Sequence, residues 1–234
     1  MPDPAGRRDL ARSLARPVVL LDLDGTITDP RHGITASYQF ALRAVGIDPP
    51  PVEELLWVIG PSIWDVAPRF GITDPDVAER FVSTYRDRHS SDGLHEYDPI
   101  PGMPEMVADL DADGRTIALA TAKPLLQAGA TLEHLGLRDH VDALGCASLD
   151  RSRTHKTDIV AALLVDLGHP EPASVVMVGD RATDVQAGRH HGLATIGVSW
   201  GFASPGELEA AGPDLLASSV PDLRAALGLP PRPG

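Results

Sequence analysis

Lysine is almost missing from this chain. Only Lys123 and Lys156 occur among 234 residues, while arginine is spread throughout. Whatever favours arginine elsewhere spares two positions, and both sit in motif-like surroundings. Cysteine is scarcer still. The single Cys146 excludes an internal disulfide and fits a reducing compartment, so the cytoplasm is the expected location. Its thiol reads as a small buried hydrophobe rather than a nucleophile. Positive charge is short overall: 33 acidic residues leave a net charge of −13. Such a surface disfavours nucleic acid polymers, which are bound by basic patches, and it disfavours anionic membranes. No apolar run approaches the roughly 18 residues that a membrane span needs. The apolar stretch after Arg7-Arg8 is short and contains Asp22 and Asp24, which is not an export signal. With 43% hydrophobic and 23% charged residues, the chain reads as one large globular domain or a core with a modest insertion.

What the chain does contain is an alternation of apolar runs and helical patterns. Strand-like runs lie at 17–22, 116–120, 141–146, 175–178 and 194–198. Helical patterns lie near 102–112, 124–135, 155–168, 181–190 and 205–211. Continuous apolar strands separated by helices predict an α/β fold, with a Rossmann-like parallel sheet covered on both faces. Residues 30–99 break the alternation. Ile34 to Val45, Val52 to Val58 and Val77 to Tyr85 carry helical patterns, and no strong strand separates them. They predict a small all-helical insertion directly after the first strand. An insertion there hangs over the strand ends where open α/β sheets bind ligands, so its expected role is a lid. The expected organisation is an arm at 1–16, a core at 17–29 and 100–228, the helical insertion at 30–99, and a disordered tail at 229–234. Nothing in the composition speaks to assembly state.

The first strand ends unusually. Val18-Val19-Leu20-Leu21 runs straight into Asp22-Leu23-Asp24-Gly25-Thr26. Buried charge costs several kcal/mol unless paired or bound to metal, and residues i and i+2 of a strand face the same way. Three further strand ends or helix starts carry polar groups. Thr121-Ala122-Lys123-Pro124 follows the strand at 116–120, and its backbone N–H groups at an expected helix start suit an anion. Lys156 opens the helix at 155–168. Gly179-Asp180 and Asp184 follow the strand at 175–178. If these ends converge, one pocket holds four carboxylates, a hydroxyl and an ammonium. Hard oxygen ligands in that number suit Mg²⁺, and the setting suits phosphoryl transfer, with a carboxylate able to act as nucleophile.

Asp22-Leu23-Asp24-Gly25-Thr26, Thr121, Lys156 and Gly179-Asp180 with Asp184 resemble, in order and spacing, the four motifs of the haloacid dehalogenase-like hydrolases. The resemblance covers residues 17–228, and the insertion looks like the type 1 cap of that superfamily. Ile59-Gly60-Pro61, Ala120 to Pro124, Arg153 to Lys156 and Gly179-Asp180-Arg181 resemble its phosphoglycolate phosphatase-like branch, with the bacterial 5′-nucleotidases. The resemblance implies a Mg²⁺-dependent phosphomonoester hydrolase acting on a small soluble metabolite through an aspartyl-phosphate. Asp22 would be the nucleophile and a metal ligand. Asp24 would be the acid/base, its carbonyl joining the metal shell. Asp180 would bind metal directly, with Asp184 in support. Thr121, Ala122 and Lys123, with Gly25 and Thr26, would hold substrate, and Lys156 would bridge Asp22 and the phosphate. Dehalogenation has no need of the acid/base at Asp24. A phosphonate hydrolase of this group needs a cap lysine, and residues 30–99 have none. A β-phosphoglucomutase-like phosphotransferase, or a regulatory or protein-modifying module with the same pocket, remains as the alternative. Pro61, Ser62, Trp64 and Arg69 are candidates to face the site, but no pattern in the insertion singles them out as substrate contacts.

Overall fold

A computed structural model describes residues 16–93, 96–149 and 152–232. The arm expected at 1–16 lies outside the described residues except for Arg16. The architecture is an α/β sandwich around a six-stranded parallel sheet. In chain order the elements are β1 (Val18–Leu21), β2 (Thr28–Asp29), α1 (Arg31–Ala44), α2 (Val52–Leu55), α3 (Ile63–Val66), α4 (Pro75–Ser91), β3 (Asp98–Pro99), α5 (Met103–Ala112), β4 (Thr116–Pro124), α6 (Leu125–His134), β5 (Ala143–Ala147), α7 (Lys156–Asp166), β6 (Val175–Gly179), α8 (Ala182–His190), β7 (Ala194–Val198), α9 (Glu207–Ala211), β8 (Leu215–Ala217) and α10 (Val220–Ala226). The sheet order is β5-β4-β1-β6-β7-β8.

β1 is central, and its alternation feeds two layers. Val19 and Leu21 join Ile117, Leu119, Val176 and Val178 in one apolar cluster with α5, α6 and α10. Leu20 points the other way, with Ala118, Val175 and Met177, against Val160 and Leu163 of α7. Both faces are therefore dry, which is why these strands read as unbroken apolar runs. Cys146 belongs to the first cluster, and burial pushes its thiol up to about 11, so it is not a thiolate.

The chain leaves β1 toward β4 on one side and returns through β6 on the other. The C-terminal ends of β1, β4 and β6 therefore meet at the switch point where such sheets bind ligands. Residues 31–91 carry α1 to α4 and bury their own cluster around Tyr38, Leu42, Leu55 and Phe81. They leave and re-enter through β2 and β3, paired antiparallel as Thr28 with Pro99 and Asp29 with Asp98.

Three features differ from expectation. β4 continues through Thr121 to Pro124, with a register irregularity against β5, so α6 starts only at Leu125. β8 and α10 follow the last expected helix. Residues 229–232 are not a free tail: Leu229 is buried, and Arg232 with Arg224 grips Asp109 at 2.6 to 2.7 Å. An apolar anchor and a forked guanidinium pair order these residues where a proline-rich composition suggested disorder.

Hydrogen bonds from Arg232, then Arg224, pull the Asp109 carboxyl down to about 2. A depressed folded pKa contributes stability above the ordinary carboxylate range and loses it as pH falls. Asp109→Asn is expected to lower stability at neutral pH by no more than about 1 kcal/mol, as for other half-exposed charge networks. The difference in melting temperature from the parent protein should vanish as the pH approaches about 2.

Candidate active site

Asp22 directly follows β1, and its N–H donates to the Val178 carbonyl at 3.0 Å, which ties the residue to β6. Lys156, the first residue of α7, places its ammonium between three oxygens. It lies 2.7 Å from Asp22 Oδ1, 2.8 Å from Asp184 Oδ1 and 2.9 Å from the Ala120 carbonyl. Burial alone would lower the pKa of Lys156, but Asp184 and Asp22 outweigh it and the net direction is upward. The ammonium is therefore a fixed positive charge in the floor.

Asp180 follows β6. Its Oδ2 accepts from the Phe202 N–H at 2.7 Å, while Oδ1 is buried with no hydrogen-bond donor. Burial, then Asp22 and Asp184, raise this carboxyl well above its usual range. Asp184 sits in the first turn of α8, where Oδ2 accepts from the Arg181 N–H at 3.0 Å. Burial lifts it to about 6 against the pull of Lys156. Ligand oxygens of Asp22, Asp180 and Asp184 lie within 4.8 Å of one another. Three carboxylates against one ammonium leave two negative charges, and one inward carboxylate oxygen lacks a donor. That donor set fits a hard divalent cation.

Two glycines make room for Asp180. A Cβ on Gly25 or on Gly201 would stand 2.3 Å from its carboxylate. Gly25 also holds φ +89, a turn that glycine adopts without strain.

Asp24 faces a different neighbour. Its Oδ1 accepts from Lys123 Nζ at 2.9 Å and from Thr28 Oγ1 at 3.3 Å, and its side chain is not in the three-carboxylate cluster. Burial raises its pKa, with Lys123 opposing. The Lys123 ammonium lies 3.9 Å from the centroid of the Tyr97 ring. Lys123 was expected to hold substrate. It lines the cavity, but its charge is committed to Asp24. Thr121 and Ala122 also line the cavity. They do so from an extended strand, since α6 begins too late for a helix N-terminus at Thr121, and Thr121 Oγ1 accepts from the Lys123 N–H at 3.1 Å. Gly25 and Thr26 do not line it. Thr26 is fully buried and its carbonyl accepts from Trp200 Nε1, and Gly25 forms the turn beneath Asp180.

A cavity open to solvent stands above this floor. Its roof includes Tyr38, Trp64, Tyr85, Arg86 and His89 from the helical insertion. Pro61 and Ser62 line it too, whereas Arg69 stacks its guanidinium 3.6 Å over Trp57. Tyr85, Arg86 and His89 share one face of α4, a grouping that i, i+1, i+4 spacing carries only weakly. Arg181 joins floor to roof: Nε donates to Glu207 at 2.8 Å and Nη1 to the Ile59 carbonyl at 2.6 Å.

The model of a family described as haloacid dehalogenase-like hydrolase matches residues 19–198. A 5′-nucleotidase of Pseudomonas aeruginosa is 38% identical over 220 residues, covering 94% of this chain and 98% of the relative. Tyrosine-protein kinase PtkA of Mycobacterium tuberculosis is 33% identical over 214 residues, covering 91% of this chain and 72% of the kinase. The crystal structure of a predicted phosphatase from Clostridium acetobutylicum matches with a TM-score of 0.84 at 31% identity, covering 89% of this chain and 96% of that one.

The electrostatics of the floor give a test independent of turnover. Millimolar MgCl₂ should raise the melting temperature of the parent protein. Asp180→Asn should be more stable than the parent without metal, because it removes one of three repelling carboxylates, and should lose the Mg²⁺ response. Gly201→Ala should lose the response as well. An undiminished shift in both variants would remove Asp180 from the ligand set.

Proposed function

This chain belongs to the haloacid dehalogenase-like hydrolases, and from that premise we propose that it is a Mg²⁺-dependent phosphomonoesterase working through an aspartyl-phosphate on Asp22. The observation that carries this reading is the cluster of Asp22, Asp180 and Asp184 around Lys156, with the acid/base candidate Asp24 held separately by Lys123. Asp22 and Asp180, with Asp184, would hold the cation. When bound, Mg²⁺ offsets the charge of the carboxylates and of the incoming phosphate.

The protein's own groups divide the remaining work. Lys156 fixes one oxygen of Asp22 and leaves the other to attack phosphorus. The ester P–O bond breaks as the new one forms, and Asp24 donates a proton to the departing oxygen. Burial, which raises the Asp24 pKa, favours the protonated acid that this step requires. Asp24 then takes a proton from water, whose oxygen attacks the phosphorylated Asp22. The Asp22–phosphorus bond breaks, releasing inorganic phosphate and restoring both carboxyl groups. Thr121 and the N–H groups beside it supply donors to the phosphoryl oxygens. The roof of the helical insertion excludes bulk water during the first step.

A small soluble phosphomonoester in the cytoplasm is the substrate class this reading implies. The likeness to PtkA supports a second reading, in which a hydroxyl rather than water accepts the phosphoryl group. Both readings share Asp22, so its phosphorylation does not separate them, whereas released phosphate does. With a panel of phosphomonoesters, phosphate release should require Mg²⁺ and stop with EDTA. Asp22→Asn should lower kcat by at least about 1,000-fold, as expected for loss of a covalent nucleophile. Asp24→Asn should accumulate a phosphoryl adduct on Asp22 that mass spectrometry detects after acid quench. Retained turnover in Asp22→Asn sinks the mechanism, and acceptor-dependent transfer without phosphate release favours the second reading.

A further inference from the structure

Five basic side chains line the cavity: Arg86, His89, Lys123, Lys156 and Arg181. Four of them are committed. Lys156 is held by Asp22 and Asp184, and Lys123 by Asp24. Arg181 is held by Glu207 and the Ile59 carbonyl. His89 lies between the Tyr97 hydroxyl at 3.1 Å and Ser37 Oγ at 3.4 Å, and burial, then Lys123, lowers its pKa to about 3, so it carries no charge. Arg86 differs. Among the described residues it makes no hydrogen bond and no ion pair, although it is half-buried on the cavity face of α4.

An unpaired guanidinium that has lost part of its water is a cost unless a ligand supplies the partner. Its planar fork of donors matches a carboxylate or a phosphate in two-point contact, and little else small. On the phosphomonoesterase reading the transferred phosphoryl group has its own donors in the floor, from Thr121 and the N–H groups beside it. Arg86 comes from the roof instead. One cavity is lined by both floor and roof, so a small substrate held at the floor also faces Arg86.

We propose that Arg86 is the specificity-determining contact of this cavity, and that the physiological substrate carries a second anionic group on its leaving part. The inference rests on the phosphomonoesterase reading above. That second group is a carboxylate or a phosphate, both of which the guanidinium binds in the same way. Arg86 also offsets the repulsion that an anionic leaving group meets from Asp22 and Asp24 in the floor. An uncharged leaving group, such as a nucleoside, would leave Arg86 without a partner in the closed site.

The test compares kcat/KM for phosphate release from four substrates with the full-length protein and Mg²⁺. Phosphoglycolate supplies a carboxylate and pyrophosphate a second phosphate, while ethyl phosphate and AMP have uncharged leaving groups. The parent protein should prefer phosphoglycolate or pyrophosphate to ethyl phosphate and AMP. Arg86→Gln should shrink that preference by roughly 10- to 100-fold, the loss of one charge-assisted contact, and mainly through KM. Arg86→Lys should restore part of it, which a folding defect would not do. Whichever anionic substrate loses more identifies the group that Arg86 binds. A parent that prefers AMP or ethyl phosphate, or a preference unchanged in Arg86→Gln, overturns the inference and leaves the phosphatase reading standing. No turnover of any of the four overturns both.

Discussion

One ammonium group organises the catalytic floor. Lys156 draws Asp22 from the end of β1, Asp184 from α8 and the Ala120 carbonyl from β4 to a single point. Without it, three buried carboxylates within 4.8 Å would repel one another in a medium that screens charge poorly. With it, one ammonium still faces three carboxyl groups, and burial together with that excess raises the pKa values of Asp180 and Asp184. That surplus of negative charge is what a bound divalent cation would offset. The glycines at 25 and 201 belong to the same constraint, because any side chain there would push Asp180 out of the cluster.

The second carboxylate of the first motif is kept apart from this cluster by its own cation. Lys123 lies between Asp24 and the face of Tyr97, so Asp24 has a partner of its own outside the three-carboxylate cluster. The two lysines thus divide two neighbouring aspartates between two environments. One environment is dominated by negative charge and the other by a balanced pair. Two carboxyl groups two residues apart acquire different chemistry in this way, through their surroundings alone.

Much of this was legible in the sequence. The run Val18 to Leu21 ending in Asp22 and Asp24 has no comfortable structural explanation without a ligand, and Gly179-Asp180 repeats the pattern at a second strand end. Strand and helix periods carried the parallel sheet and the helical insertion. What was lost is shorter than a period or depends on a partner far away. β2 and β3 are two residues each, and β8 only three, too short for alternation to register. The irregularity at Thr121 to Pro124 keeps that segment extended where Pro124 suggested a helix start. Lys123 and Arg86 show the remaining limit. Lys123 is alone in its local sequence and Arg86 stands beside Asp87 and Arg88, and only the fold shows that the first is held by an aspartate 99 positions earlier while the second is held by none of the described residues.

The narrow ribbon of Thr28–Asp29 against Asp98–Pro99 has a further consequence. Everything between those strands enters and exits through adjacent points, so its length can vary without disturbing the spacing of the residues beneath. A lineage could exchange the whole intervening module by recombination and keep its reaction while acquiring a new diet. The ribbon is thus a seam along which evolution can retailor such a protein, and it lies beside Asp24, whose carboxylate also accepts from Thr28. Variation entering at that seam therefore arrives next to Asp24, where small changes of geometry reach the cavity floor directly.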